Sequence, residues 1–294
     1  MNDYVIFTDS CADLDDNMLN ELDVQLIPMH FTLDDKGYTH WPDGREMPFK
    51  TFYEKLRSGS TSTSTQVTLE EFKEAFRPVL GSGKDVLYVG LSSGLSNTIQ
   101  SGLLAAEELA QEFPQNTVCI VDSLGASMGQ GLLTWYVAQQ KRQGKSLQEA
   151  VNWAEQNRLK LAQWFTVDDL HFLKRGGRLS GTAAMVGTML SIKPVLHVDH
   201  DGRLTMVKKL RGRRNSLKEL VNKMEQTAVS PQEGTVFISH GDCLADAEFV
   251  AEEIKQRMNP ARICINYIGP VIGGHSGPGT VALFFMATTR DEID

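Results

Sequence analysis

What most limits the fold of this chain is the alternation in its first half. Short apolar, β-branched runs exchange with longer segments that read as helices. Tyr4–Thr8 (YVIFT), Val24–Thr32 (VQLIPMHFT), Asp85–Leu91 (DVLYVGL) and Thr117–Asp122 (TVCIVD) read as strands. Met47–Leu56, Thr68–Leu80, Ser96–Phe113, Ala126–Arg142 and Leu147–Leu161 read as helices. Thr68 and Glu71 have the spacing of a capping box. Strands parted by helices imply a parallel sheet covered on both faces. After about residue 163 the rhythm changes. Ile192–Val198 and Arg203–Leu210 flank DHDG, a hairpin signal, before strands at Thr235–His240 and Arg262–Ile268 and a closing strand, Val281–Phe285. A hairpin among crossover units implies a mixed sheet. The expectation is an α/β chain of two domains: a Rossmann-like parallel-sheet domain over 1–163 and a mixed-sheet domain over 164–294.

A length of 294 residues with 41% hydrophobic side chains suits one large domain or two ordinary ones. No apolar run is long enough to span a bilayer, and the acidic start MNDYVIFTDSC lacks the pattern of a signal peptide, so a cytoplasmic location is expected. Cys11, Cys119, Cys243 and Cys264 are far apart and form no CxxC pair, which disfavours a zinc site or disulfide frame. The histidines are scattered with no i, i+4 pair, so no metal site is expected. A net charge of −8 disfavours non-specific nucleic-acid binding.

Several segments could bind an anion. His275 lies in the glycine-rich stretch YIGPVIGGHSGPG, where bare backbone N–H groups can form an anion-binding concavity. The Ser/Thr stretch Ser58–Gln66 reads as a flexible loop, or as hydroxyls (Ser64, Thr65) gathered before the Thr68 helix start. In GLSSGLSNTIQSG a strand end, a small-residue loop and a helix start near Ser96 and Asn97 make a common anion site in open α/β sheets. Arg178, after a glycine pair, suits bidentate contact with carboxylate or phosphate. The basic segment RLTMVKKLRGRRN reads equally as a protected edge strand or as a docking site for an acidic partner. Gly125–Gly129 spells GxSxG around Ser127, but Asp122, Ser123 and Leu124 separate strand from glycine where a nucleophile elbow is tight. The overlapping GxxxGxG has no Tyr-x-x-x-Lys partner anywhere in the chain.

Taken in order, FTDSCADL, STQVTLEEF, SSGLSNTIQSG, IVDSLGASMGQG, DDLHFLKRGGRLS, IKPVL and IGPVIGGHSGPGTVALFF resemble the DegV family of bacterial fatty-acid-binding proteins over about residues 3–290. The resemblance implies two α/β domains and a buried long-chain fatty acid. It implies no cofactor and no catalysis by this chain. The carboxylate would be presented to a separate fatty acid kinase subunit, which makes the acyl-phosphate. The family's Thr-Ser-Gln-Pro falls on Ser64-Thr65-Gln66-Val67, which puts a carboxylate-binding hydroxyl on Ser64. Its Leu-Ser-Gly-Thr falls on Leu95-Ser96-Asn97-Thr98, which puts the second on Ser96. The family's Gly-Gly-Arg arginine falls on Arg178, its histidine on His275, and a kinase-facing arginine on Arg211 or Arg213. Ser64 replaces a threonine, Val67 a proline and Asn97 a glycine, and no donor is lost. Met185–Leu190 and Phe284-Phe285 are candidates for the tunnel lining. A competing reading is a serine hydrolase of acyl esters, using Ser127 or Ser96 with His275.

Overall fold

A computed structural model describes residues 3–179 and 192–290. The first half runs β1 (Tyr4–Asp9), α1 (Asp16–Leu22), β2 (Val24–Ile27), β3 (His30–Leu33), β4 (Lys36–Thr39), α2 (Phe49–Arg57), β5 (Ser62–Ser64), α3 (Leu69–Gly81), β6 (Asp85–Gly90), α4 (Thr98–Glu112), β7 (Val118–Asp122), α5 (Met128–Arg142) and α6 (Leu147–Asn157). The second half runs β8 (Leu161–Thr166), α7 (His171–Arg175), β9 (Ile192–Val198), β10 (Leu204–Arg211), α8 (Arg213–Thr227), β11 (Thr235–His240), α9 (Leu244–Met258), β12 (Arg262–Tyr267), α10 (Pro270–Ser276) and β13 (Val281–Met286).

The expected pair of sheets is present. One has order β2-β1-β6-β7 and is parallel throughout. The other has order β10-β9-β8-β13-β11-β12 and is mixed, antiparallel except for β11 with β12. The Thr68–Glu71 capping box forms as its spacing requires.

Sequence and structure part at several places. The run Val24–Thr32 is not one strand. It breaks at Pro28-Met29 into β2 and β3, which belong to different sheets, because proline cannot donate to a ladder. The Ser/Thr stretch is not simply a loop: Ser62–Ser64 is the strand β5, which pairs with β3 in a small antiparallel sheet, β4-β3-β5. The third difference is the glycine-rich stretch around His275. Pro270–Ser276 is a helical segment with proline in its first turn, not an open nest of N–H groups. Its glycines allow close packing instead. A Cβ at Gly273 would collide with the Tyr53 hydroxyl, and one at Gly274 would sit 3.0 Å from Ser62 Oγ.

The order β2-β1-β6 places a topological switch between β1 and β6. Ligands in open α/β sheets bind at the carboxyl ends of the strands beside such a point. Here that edge carries the loop after β6 (Leu91 to Asn97) and, past β7, the start of α5. The mixed sheet closes over it. Two strands explain how. In β13, Ala282 and Phe284 point one way, while Val281, Leu283 and Phe285 point the other, into the core under α8 and α9. In β8, Gln163 and Phe165 share the first face, while Ala162 and Trp164 share the second. Phe285, expected in the tunnel lining beside Phe284, therefore packs on the opposite side of the sheet. Met185–Leu190 lies outside the described residues.

The two halves are tied together by buried polar contacts. Arg290 is fully buried, and its guanidinium donates to the carbonyls of Leu161, Leu124, Arg158 and Asp199. Asp13 accepts from the Gly269 N–H at 2.9 Å, just before α10, and its carbonyl accepts from Asn266.

Candidate functional site

A cavity of about 440 Å³ lies between the two sheets, a volume ordinary for a small-ligand site of about 300–1,000 Å³. Its inner wall is largely apolar. Leu91 comes from the end of β6, Phe165 from β8, Ala282 and Phe284 from β13, and Val271 and Ile272 from α10. Its mouth is polar. Ser64, Thr65, Ser96, Asn97, Arg178 and His275 all line it. Six residues spread over more than 200 positions of sequence thus converge on one opening.

Each is placed by a local device. Ser64 ends β5, and its register against Phe31 of β3 fixes its height. The Thr65 N–H donates to the His30 carbonyl at 3.0 Å. Ser96 and Asn97 precede α4, which starts at Thr98, and the Ser96 hydroxyl accepts from the Thr98 N–H. The Asn97 side chain makes no cap bond and is exposed, so it does not crowd the helix start. His275 occupies the last turn of α10, where Val271, one turn earlier, lines the same wall. Gly176 lets the ring approach, since a Cβ there would collide with His275 Nδ1. Gly177, with φ +68°, turns the chain so that Arg178 reaches the Leu95 carbonyl.

The central contact is between Ser64 Oγ and His275 Nε2, which share a hydrogen bond of 3.0 Å across 211 positions of sequence. Burial holds the His275 pKa down, to about 4, and the charges of Arg178 and Arg175 push the same way. The ring is therefore neutral at pH 7. Among the described residues no carboxylate backs it. A serine–histidine base needs the imidazolium stabilised as it forms; here both charged neighbours disfavour it. The pair is suited to donating hydrogen bonds to an anion.

The serine-hydrolase arrangement expected as an alternative is not assembled. Ser96 Oγ bonds to Thr98 Oγ1 at 2.9 Å. Ser127 Oγ donates to Asp13 Oδ2 and bonds to Ser239 Oγ at 2.9 Å. Ser127 does have a positive φ of 53° at the start of α5, the one feature it shares with a nucleophile elbow. Its partner, however, is a carboxyl that burial raises to about 8, not a histidine.

Arg211 and Arg213 do not reach the cavity. Arg211 is exposed at the end of β10. Arg213, the first residue of α8, is held by Asp246 (2.8 Å) and by the Gly279 carbonyl (2.6 Å). Sequence reasoning missed Gln163, Ser276 and Thr280 on the wall. The period-two alternation of β8 was the signal available for Gln163. Among the described residues no cluster of three or more His, Cys, Asp or Glu is placed to hold a metal, and no helix is long and apolar enough to cross a membrane.

Fold and site together define an α/β protein whose two large sheets enclose a largely apolar cavity with a hydroxyl- and imidazole-lined mouth. A model described as "Uncharacterised protein, DegV family" matches residues 3–288. This chain belongs to the DegV family. A DegV domain-containing protein of Clostridium perfringens is 45% identical over 291 residues, covering 99% of this chain and all of that protein. Among solved structures, a fatty-acid-binding DegV family protein of Thermus thermophilus is 30% identical, with a TM-score of 0.86 over 98% of this chain and all of that one. A DegV lipid-binding protein of Thermotoga maritima is 25% identical, also with a TM-score of 0.86 and the same coverage.

Proposed function

We propose that this protein binds a long-chain fatty acid, with the tail in the inter-sheet cavity and the carboxylate at its mouth. The observation that carries the reading is the joining of an apolar cavity to a neutral hydroxyl–imidazole mouth, Ser64 with His275, beside Ser96 and Thr65. Relatives described as fatty-acid-binding share the fold across their whole length. A carboxylate has about four lone-pair sites for donors; the Ser64–His275 pair keeps one proton to give, and the hydroxyls of Ser96 and Thr65, turned to Thr98 Oγ1 and the His30 carbonyl, stand close enough to rotate to it. Arg178 at the rim adds positive charge. The cavity of about 440 Å³ lies in the range of small-ligand sites, and its apolar inner wall suits an acyl tail.

In this reading the protein catalyses nothing alone. It presents the carboxylate to a partner fatty acid kinase, which forms the acyl-phosphate. Arg178 serves the phosphate and the exposed Arg211 the partner. Arg213, anchored to Asp246, fixes the start of α8 beneath it. The test has two arms. Hexadecanoate should bind at least tenfold more tightly than hexadecanol, which has the same tail without a charge for the mouth to hold. Equal binding would remove the carboxylate site. With a fatty acid kinase and ATP, wild type should support acyl-phosphate formation, whereas Arg211→Ala should bind hexadecanoate normally yet support it poorly. Full support by Arg211→Ala would remove that residue from the partner surface.

A further inference from the structure

Ser276 is the next residue after His275, and its hydroxyl is unused. The side chain is only 6% exposed, and Oγ has no hydrogen-bond partner among the described residues. The other buried hydroxyls on the cavity wall are engaged. Thr280 Oγ1 donates to the carbonyls of Ser276 and Gly277, both at 2.9 Å, and Ser127 is held by Asp13 and Ser239. At 3.6 residues per turn, α10 presents two adjacent columns to the cavity, Val271 with His275 and Ile272 with Ser276. His275 reaches the half-buried Ser64 at the mouth. On the fatty-acid reading, Ser276, more deeply buried than Ser64, falls beside the first carbons behind the carboxylate once its shielded Oγ turns toward the cavity.

We infer that Ser276 serves a hydroxyl on the ligand chain, so that the cavity prefers 3-hydroxy long-chain acids to the plain acids. The inference rests on the fatty-acid reading above. A methylene beside Ser276 leaves a buried hydroxyl unpaired, which is unfavourable. Turning that hydroxyl toward the cavity breaks no hydrogen bond, because it makes none. A hydroxyl on carbon 3, two bonds from the carboxylate carbon, then donates to and accepts from it. A hydroxyl far down the chain meets the apolar wall of Phe165 and Phe284 instead.

Calorimetric titration of hexadecanoate, 3-hydroxyhexadecanoate and 12-hydroxyoctadecanoate into wild type, Ser276→Ala and Ser276→Thr tests this. Wild type should bind the 3-hydroxy acid about three- to tenfold more tightly than hexadecanoate. Ser276→Ala should lose that preference, chiefly by binding hexadecanoate more tightly than wild type does, and Ser276→Thr, which keeps the hydroxyl, should retain it. The same acid ratio in wild type and Ser276→Ala, or a preference for the 12-hydroxy acid, would overturn the assignment and leave the fatty-acid reading standing. Failure of every acid to bind wild type would overturn both.

Discussion

Replacing Ala282 with phenylalanine should weaken hexadecanoate binding by about a hundred- to a thousandfold without unfolding the protein. Ala282 lies on the cavity-facing side of β13, two residues before Phe284. A phenyl ring there projects into the cavity that Ala282 lines at the edge of the core, so most of the usual cost of overpacking is avoided. The ring takes the volume of about four or five methylenes, each contributing about 0.8 kcal/mol on burial. The lost tail burial is then about 3–4 kcal/mol, which is about two to three decades of affinity. Decanoate, with a tail short enough to stop before the ring, should lose less than tenfold. The check is titration of both acids, with a melting curve to show that the fold persists. Unchanged hexadecanoate binding in a folded Ala282→Phe protein would place the tail somewhere other than this cavity.

The second large effect concerns the mouth. His275→Ala and Ser64→Ala should each weaken hexadecanoate by about ten- to a hundredfold, the range for hydrogen bonds to a charged group. Their effects should not add. The two side chains share one hydrogen bond, so each single variant also disturbs the other donor, and the double variant should lose less than the sum. Fully additive losses would mean that the pair does not act as a unit. The pH dependence follows from the same residue. His275 is held to about 4 in the empty site. A carboxylate beside it raises that value, but a rise of about two units is needed before imidazolium is half populated at pH 6. Affinity should therefore be flat from pH 6 to 8. A steep gain on acidification, abolished by His275→Gln, would show that the ring binds as a cation.

The parts of the fold legible in the sequence are those set by local pattern. Strands β1, β6 and β7 are apolar runs ending in small or acidic residues, and α3 is marked by Thr68 and Glu71. The parts that escaped depend on distant partners. Strand β5 is STS, too short to read and with only Thr63 favouring a strand; it exists because Ser64 pairs with Phe31. Helix α10 is PVIGGHS, poor in helix formers, and is held by packing on Tyr53 and Ser62. The break at Pro28 was readable, since proline demotes a strand. At the site, resemblance supplied Ser64, Ser96 and His275 as separate positions. That Ser64 and His275 touch, and that Ser127 faces Asp13 rather than a histidine, follows only from the folding of two sheets onto each other.

The most direct test is to purify the protein without added ligand and identify what it carries, by native mass spectrometry and by extraction. The account predicts one fatty acid of about C14 to C18 per chain, absent from Ala282→Phe. A protein that is empty as isolated, and that takes up no added fatty acid, would contradict it.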